Sequence, residues 1–128
     1  MKKSPDPKDI DTAPLFPPAS DRKAWQAALR IPRNRKMACE LIRMADSLLK
    51  EPVPAVPATL FMEFIRNGNR RHYEICYFNR RSNLGALVLA EIFQYQGKNL
   101  DKIVDYLWEI TSEHTWCLPA HCHMVSIQ

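Results

Sequence analysis

A chain of 128 residues with 46% apolar side chains is the size of one ordinary domain and can bury one hydrophobic core. Its 18 Lys and Arg against 14 Asp and Glu leave a formal net charge of +4. That balance favours anionic partners such as acidic glycans, nucleic acid or anionic lipid, without choosing among them. No apolar run is long enough to span a membrane and none follows the opening lysines as a secretory leader would require, so the expectation is a soluble, cytoplasmic protein whose four cysteines stay reduced.

Met1 to Ser20 holds five prolines, three lysines and few large apolar residues. Too little can be buried there to offset ordering entropy, and residues 1–20 read as a mobile or loosely docked arm before a helical domain over 21–128. Ser20 reads as the N-cap of a first short helix carrying Trp25, Ala28 and Leu29, which Pro32 interrupts. A second helix is predicted from Pro32 to Lys50. Its two adjacent rows, Met37, Leu41, Met44, Leu48 and Ala38, Ile42, Ala45, Leu49, give a wide apolar stripe. Pro52, Pro54 and Pro57 then force an extended connector.

Ala58 to Ile65 has a helical pattern closed by Asn67-Gly68-Asn69, where a left-handed cap fits. The next helix is predicted from Asn79 to Gln96 with Gly97 as the residue after its cap, and a last one from Asn99 to Ser112, capped by Asn99. No segment alternates with period two and no repeat recurs at a fixed period. The class is therefore all-α, built from helical hairpins.

Two clusters could carry chemistry. Arg66 to Glu74, with Tyr77-Phe78-Asn79-Arg80-Arg81, mixes guanidinium groups, aromatic rings and carboxamides. Arginine can hold a carboxylate or sulfate through paired charge-assisted bonds, and an aromatic face can cover the apolar side of a pyranose. The same residues also suit a solvated helix face in which Arg80 and Arg81 cap the helix or pair with Glu74 and Glu91. Glu113 to His123 follows the last helix; Cys117, His121, Cys122 and His123 are competent zinc ligands, but their spacing lacks a paired Cys-x-x-Cys knuckle. A Cys–His nucleophile pair would lack a third orienting group, and phosphate-loop and hydrolase motifs are missing. No metal and no cofactor is expected.

At these clusters the sequence resembles the heparinase II/III-like polysaccharide lyases. The resemblance rests on Arg70-Arg71-His72-Tyr73-Glu74 with Tyr77-Phe78-Asn79-Arg80-Arg81, and on Trp108-Glu109-Ile110 through Thr115-Trp116-Cys117-Leu118-Pro119-Ala120-His121. It covers about Val56 to His121 and implies the N-terminal helical part of a lyase, a partial (α/α) toroid. The implied reaction is β-elimination across a uronate linkage in an acidic polysaccharide. The family's base and acid are expected outside this chain, which alone should be inactive. The residues carried over as substrate-binding are Arg71, Tyr73, Arg80, Arg81, Trp116 and His121. The rival reading is a non-enzymatic helical module that binds acidic glycan or nucleic acid through the basic patch. A toroid segment leaves a helix face without its neighbour, so the second helix or the Leu100, Ile103, Val104, Leu107, Trp108 face is expected to drive homo-oligomerisation with two-fold symmetry, unless Leu15 and Phe16 fold back over it.

Overall fold

A computed structural model of the chain describes residues 15–121; residues 1–14 of the arm, and Cys122 and His123 with the rest of the C-terminal end, lie outside them. The protein is all-α. Among the described residues there are five helices, α1 (Arg22–Leu29), α2 (Pro32–Leu48), α3 (Ala58–Asn67), α4 (Arg71–Gln94) and α5 (Leu100–Thr111), then a 3-10 turn at Pro119–His121. No helix among them is long and apolar enough to cross a membrane.

Helix α4 is the central member, with α2 and α5 packed against it. Small residues make this possible: Ala45 on α2 and Ala90 on α4 are fully buried and bring the backbones close around Leu87 and Tyr106. Ile42, Leu48, Leu49, Leu84 and Ile103 complete the core. Burying a leucine such as Leu87 contributes about 1.5–3 kcal/mol, so this cluster is the main source of stability. The row Ala38, Ile42, Ala45, Leu49 faces inward, and of the other row Leu48 also reaches the core. Ala38 and Ala45 are buried, whereas Met37 and Met44 on the other row stay 48% and 40% exposed, because the helices packed on α2 do not cover the whole of so wide a stripe.

The register between α4 and α5 is antiparallel. Arg80 meets Glu109 and Glu113, Asn83 donates to the Tyr106 hydroxyl at 3.1 Å, and Glu91 meets Asn99. Helix α1 is tied to the far end of α4 by Arg22, whose guanidinium donates to the carbonyls of Ile92 (2.6 Å) and Phe93 (3.0 Å), two of the acceptors that α4 leaves open at its C-terminus. Leu15 and Phe16 remain 93% and 71% exposed and cover no helix face.

Four local features differ from the sequence expectations. The cap of α1 is Asp21, whose side chain accepts from the Ala24 N–H at 3.0 Å, rather than Ser20. Helix α4 starts at Arg71, eight residues before Asn79. The Asn69 carboxamide oxygen accepts from the N–H of both Arg71 (2.9 Å) and His72 (3.3 Å), and burial of Tyr73 and Tyr77 secures the added turns. At its other end the left-handed residue is Tyr95 (φ 52°), not glycine; Arg22 lies 4.6 Å over its ring, and Gly97 (φ 76°) takes a second positive-φ position. Asn99 does cap α5 by position, but its side-chain amide turns inward to Glu91.

Candidate functional site

One stripe of α4 sets the site. Tyr73, Tyr77 and Arg80 recur at helical spacing, so all three face the same way and all are buried. The end of α5 and the loop beyond it supply what they meet. Arg80 donates from Nε to the Pro54 carbonyl (2.6 Å), from Nη1 to Glu113 (3.2 Å) and from Nη2 to Glu109 (3.1 Å). Arg81 grips the same Glu113 from above, with Nη2 at 2.6 Å and Nη1 at 3.3 Å. Its guanidinium carbon also sits 3.3 Å from the Tyr77 ring centroid. Glu113 is thus a buried carboxylate, its side chain 6% exposed, clasped between two arginines.

Aromatic contacts extend this clasp in both directions. The Tyr77 hydroxyl donates to the Trp116 carbonyl at 3.1 Å, while the Trp116 indole N–H donates to the Ile110 carbonyl at 3.0 Å. Trp116 is therefore held by its edge and its peptide while the residue remains 63% exposed, an arrangement that leaves ring surface for a ligand. On the other side Tyr73 stacks on Tyr77 (5.9 Å, 28°) and takes Phe61 of α3 edge-on (5.1 Å, 84°).

Between these groups and the Pro-rich connector runs a groove of about 610 Å³. Val53, Val56, Phe61 and Met62 form its apolar wall, and Tyr73, Arg80, Glu109, Ser112 and Glu113 its polar wall. Tyr73 is 4% exposed, yet its hydroxyl has no hydrogen-bond partner among the described residues. Burial, then the Glu113 and Tyr77 charges, raise its pKa against the opposing pull of Arg81 and Arg80. The phenol stays protonated at neutral pH and is available as a donor.

Of the six residues singled out from the sequence, Tyr73, Arg80, Arg81 and Trp116 converge on this arrangement. Arg71 stands apart, exposed at the first residue of α4, beside exposed Arg66 and Arg70 in the α3–α4 turn region. His121 ends the 3-10 turn, exposed, with its backbone N–H on the Leu118 carbonyl. The partners of Arg80 and Arg81 are Glu109 and Glu113 rather than Glu74 and Glu91. Glu74 pairs with Arg70 (3.6 Å). Glu91 lies at the opposite end of α4, where it receives the N–H groups of Gly97 and Asn99 and the Asn99 amide. Burial by itself would raise its carboxyl, but those donors outweigh it and hold the pKa below the ordinary glutamate range.

Sequence reasoning passed over Phe61 and Met62 as groove residues, and it named Glu109 and Glu113 without pairing them with Arg80 and Arg81. The signal available for the carboxylates was their spacing of four, which puts both on one side of the α5 terminus facing the arginines. No group of three or more His, Cys, Asp or Glu converges as a metal site among the described residues, and Cys39 and Cys76 are free thiols. No protein-family model and no curated protein matches the chain.

Proposed function

We propose that this chain is the N-terminal, glycan-binding helical part of a heparinase II/III-like lyase acting on acidic polysaccharide, and that it binds without completing β-elimination. One observation carries the reading. The two stretches on which the resemblance rests, Tyr73 to Arg81 and Glu109 to Trp116, lie more than twenty residues apart, yet they fold onto each other and build the polar wall of one groove. The antiparallel α4–α5 hairpin is also the unit from which an (α/α) toroid is assembled.

The chemistry of Tyr73 supports binding without cleavage. Removal of a proton beside a uronate carboxyl needs a base poised near the working pH. Burial and Glu113 shift Tyr73 the other way, which suits a hydrogen-bond donor to a sugar hydroxyl. Anionic groups along the polymer are met by Arg66, Arg70 and Arg71, three exposed guanidinium groups in the α3–α4 turn region.

Calorimetry with a uronate oligosaccharide tests the reading. The Arg66→Ala, Arg70→Ala, Arg71→Ala variant, which spares the buried Arg80, is expected to bind more weakly, and equal affinity would reject the role of these residues. Their joint exposure also favours a second reading, a nucleic-acid-binding module. A single-stranded oligonucleotide that binds more tightly than the oligouronate, with affinity falling steeply as salt rises, would select it.

A further inference from the structure

The charges on the polar wall of the groove cancel: Arg80 and Arg81 face Glu109 and Glu113, and every guanidinium nitrogen of Arg80 already donates within the fold. We propose that this groove binds an uncharged pyranose ring, so that an acidic glycan lying along the protein places a neutral sugar here and its carboxylates outside, at Arg66, Arg70 and Arg71. The inference rests on the glycan reading above.

Two polar groups lining the groove have hydrogen-bonding capacity left over among the described residues and define what it accepts. Tyr73 is 4% exposed and lines the groove, and its hydroxyl makes no hydrogen bond among the described residues, which leaves it open to the groove as a donor. Glu109 gives one carboxylate oxygen to Arg80 and leaves the other unpaired, on a side chain 48% exposed. The phenol donor and the carboxylate acceptor line the same groove, and sugar hydroxyls, which both donate and accept, can satisfy each. An anion fails here. It would meet the Glu109 and Glu113 carboxylates, and Arg80 has no nitrogen left uncommitted to form a fork with it. A cation would meet the two arginines.

The opposite wall fits the rest of the sugar. Val56, Phe61 and Met62 present apolar surface on which the C–H face of a pyranose can lie, and Phe61 is held by its edge contact with Tyr73. At about 610 Å³ the groove falls within the range of about 300–1,000 Å³ usual for small-ligand sites.

The test is a nuclear magnetic resonance titration of the isotope-labelled full chain with cellotriose, maltotriose and a trigalacturonate. Either neutral trisaccharide should shift the resonances of Tyr73, Glu109 and Ser112, and trigalacturonate those of Arg66, Arg70 and Arg71. Tyr73→Phe, which keeps the ring contacts, and Glu109→Gln should each weaken neutral-sugar binding by roughly 2- to 10-fold, the loss of one hydrogen bond. Circular dichroism confirms that both variants remain folded. Trigalacturonate binding at the arginines with no neutral sugar in the groove overturns the inference and leaves the acidic-glycan reading standing. Neutral sugar in the groove with no trigalacturonate bound supports the inference and removes that reading. Neutral-sugar affinity unchanged by both substitutions means the ligand rests on the apolar wall alone, as an apolar peptide would, and overturns the inference.

Discussion

Replacing Glu113 with alanine strands two guanidinium groups at once. In the folded chain Glu113 is 6% exposed and receives Arg80 and Arg81, whose side chains are 5% and 28% exposed. Removing one partner of a buried pair costs about 3–5 kcal/mol, because the remaining charge keeps its desolvation without its compensation. Arg80 retains the Pro54 carbonyl and the half-exposed Glu109, and Arg81 can turn to water, so the lower end applies, about 3 kcal/mol. With a urea slope of about 1–3 kcal/mol/M, the unfolding midpoint should fall by roughly 1–3 M with the slope unchanged. Glu109→Ala is the internal control: that carboxylate is 48% exposed, and its loss should cost about 1 kcal/mol or less. Equal losses for the two variants would refute the picture of Glu113 as the buried centre of the clasp.

Three further outcomes follow from the same geometry. Glu91 has a folded-state pKa below its ordinary value, so its contribution is present above the unfolded value of about 4.3 and is lost as pH falls through the lower folded value; urea midpoints measured from pH 7 to pH 3 should therefore drop more for the wild type than for Glu91→Gln, and parallel curves would deny the linkage. Leu87→Ala, at the fully buried centre of the α2–α4–α5 core, should cost about 2–5 kcal/mol by the same assay, and a loss below 1 kcal/mol would move the core elsewhere. Helix α5 exposes Leu100, Val104, Leu107 and Trp108 by 52%, 59%, 45% and 70% beside Asp101 and Asp105, while α2 exposes Met37 and Met44 beside Arg33 and Lys36. These opposite charges flanking apolar stripes suit association of two copies, which light scattering at micromolar concentration should detect and Val104→Lys with Trp108→Lys should abolish; a monomeric mass for the unsubstituted chain contradicts it.

Most of the helical framework was legible because it is local. Periodicity located α2, α3 and α5, the prolines at 52, 54 and 57 marked the connector, and Asn67-Gly68 marked the left-handed stop of α3, which Gly68 takes at φ 77°. What escaped depended on partners distant in sequence. The first turns of α4 carry polar and aromatic residues with no apolar stripe, and they are secured by Tyr73 packing on Phe61 and Tyr77 reaching Trp116. The left-handed Tyr95 reflects the stacking of Arg22, more than seventy residues earlier, which outweighs the usual preference for glycine.

The candidate site was legible by residue type but not by pairing. Tyr73, Arg80, Arg81 and Trp116 stood out for their chemistry, yet the role of Glu113 as their common partner arises only when the α4–α5 hairpin closes. Arg80 illustrates the limit most clearly: a guanidinium that composition offers to a ligand is 4% exposed and bonded through all three nitrogens.

The most direct test of binding without cleavage is one sample measured twice. The purified chain is titrated calorimetrically with a uronate polysaccharide and then followed by ultraviolet absorbance for the unsaturated uronate that β-elimination releases. Saturable binding with flat absorbance is the expected result; absorbance rising at enzyme-like rates, or no heat of binding with any uronate polymer, would contradict the account.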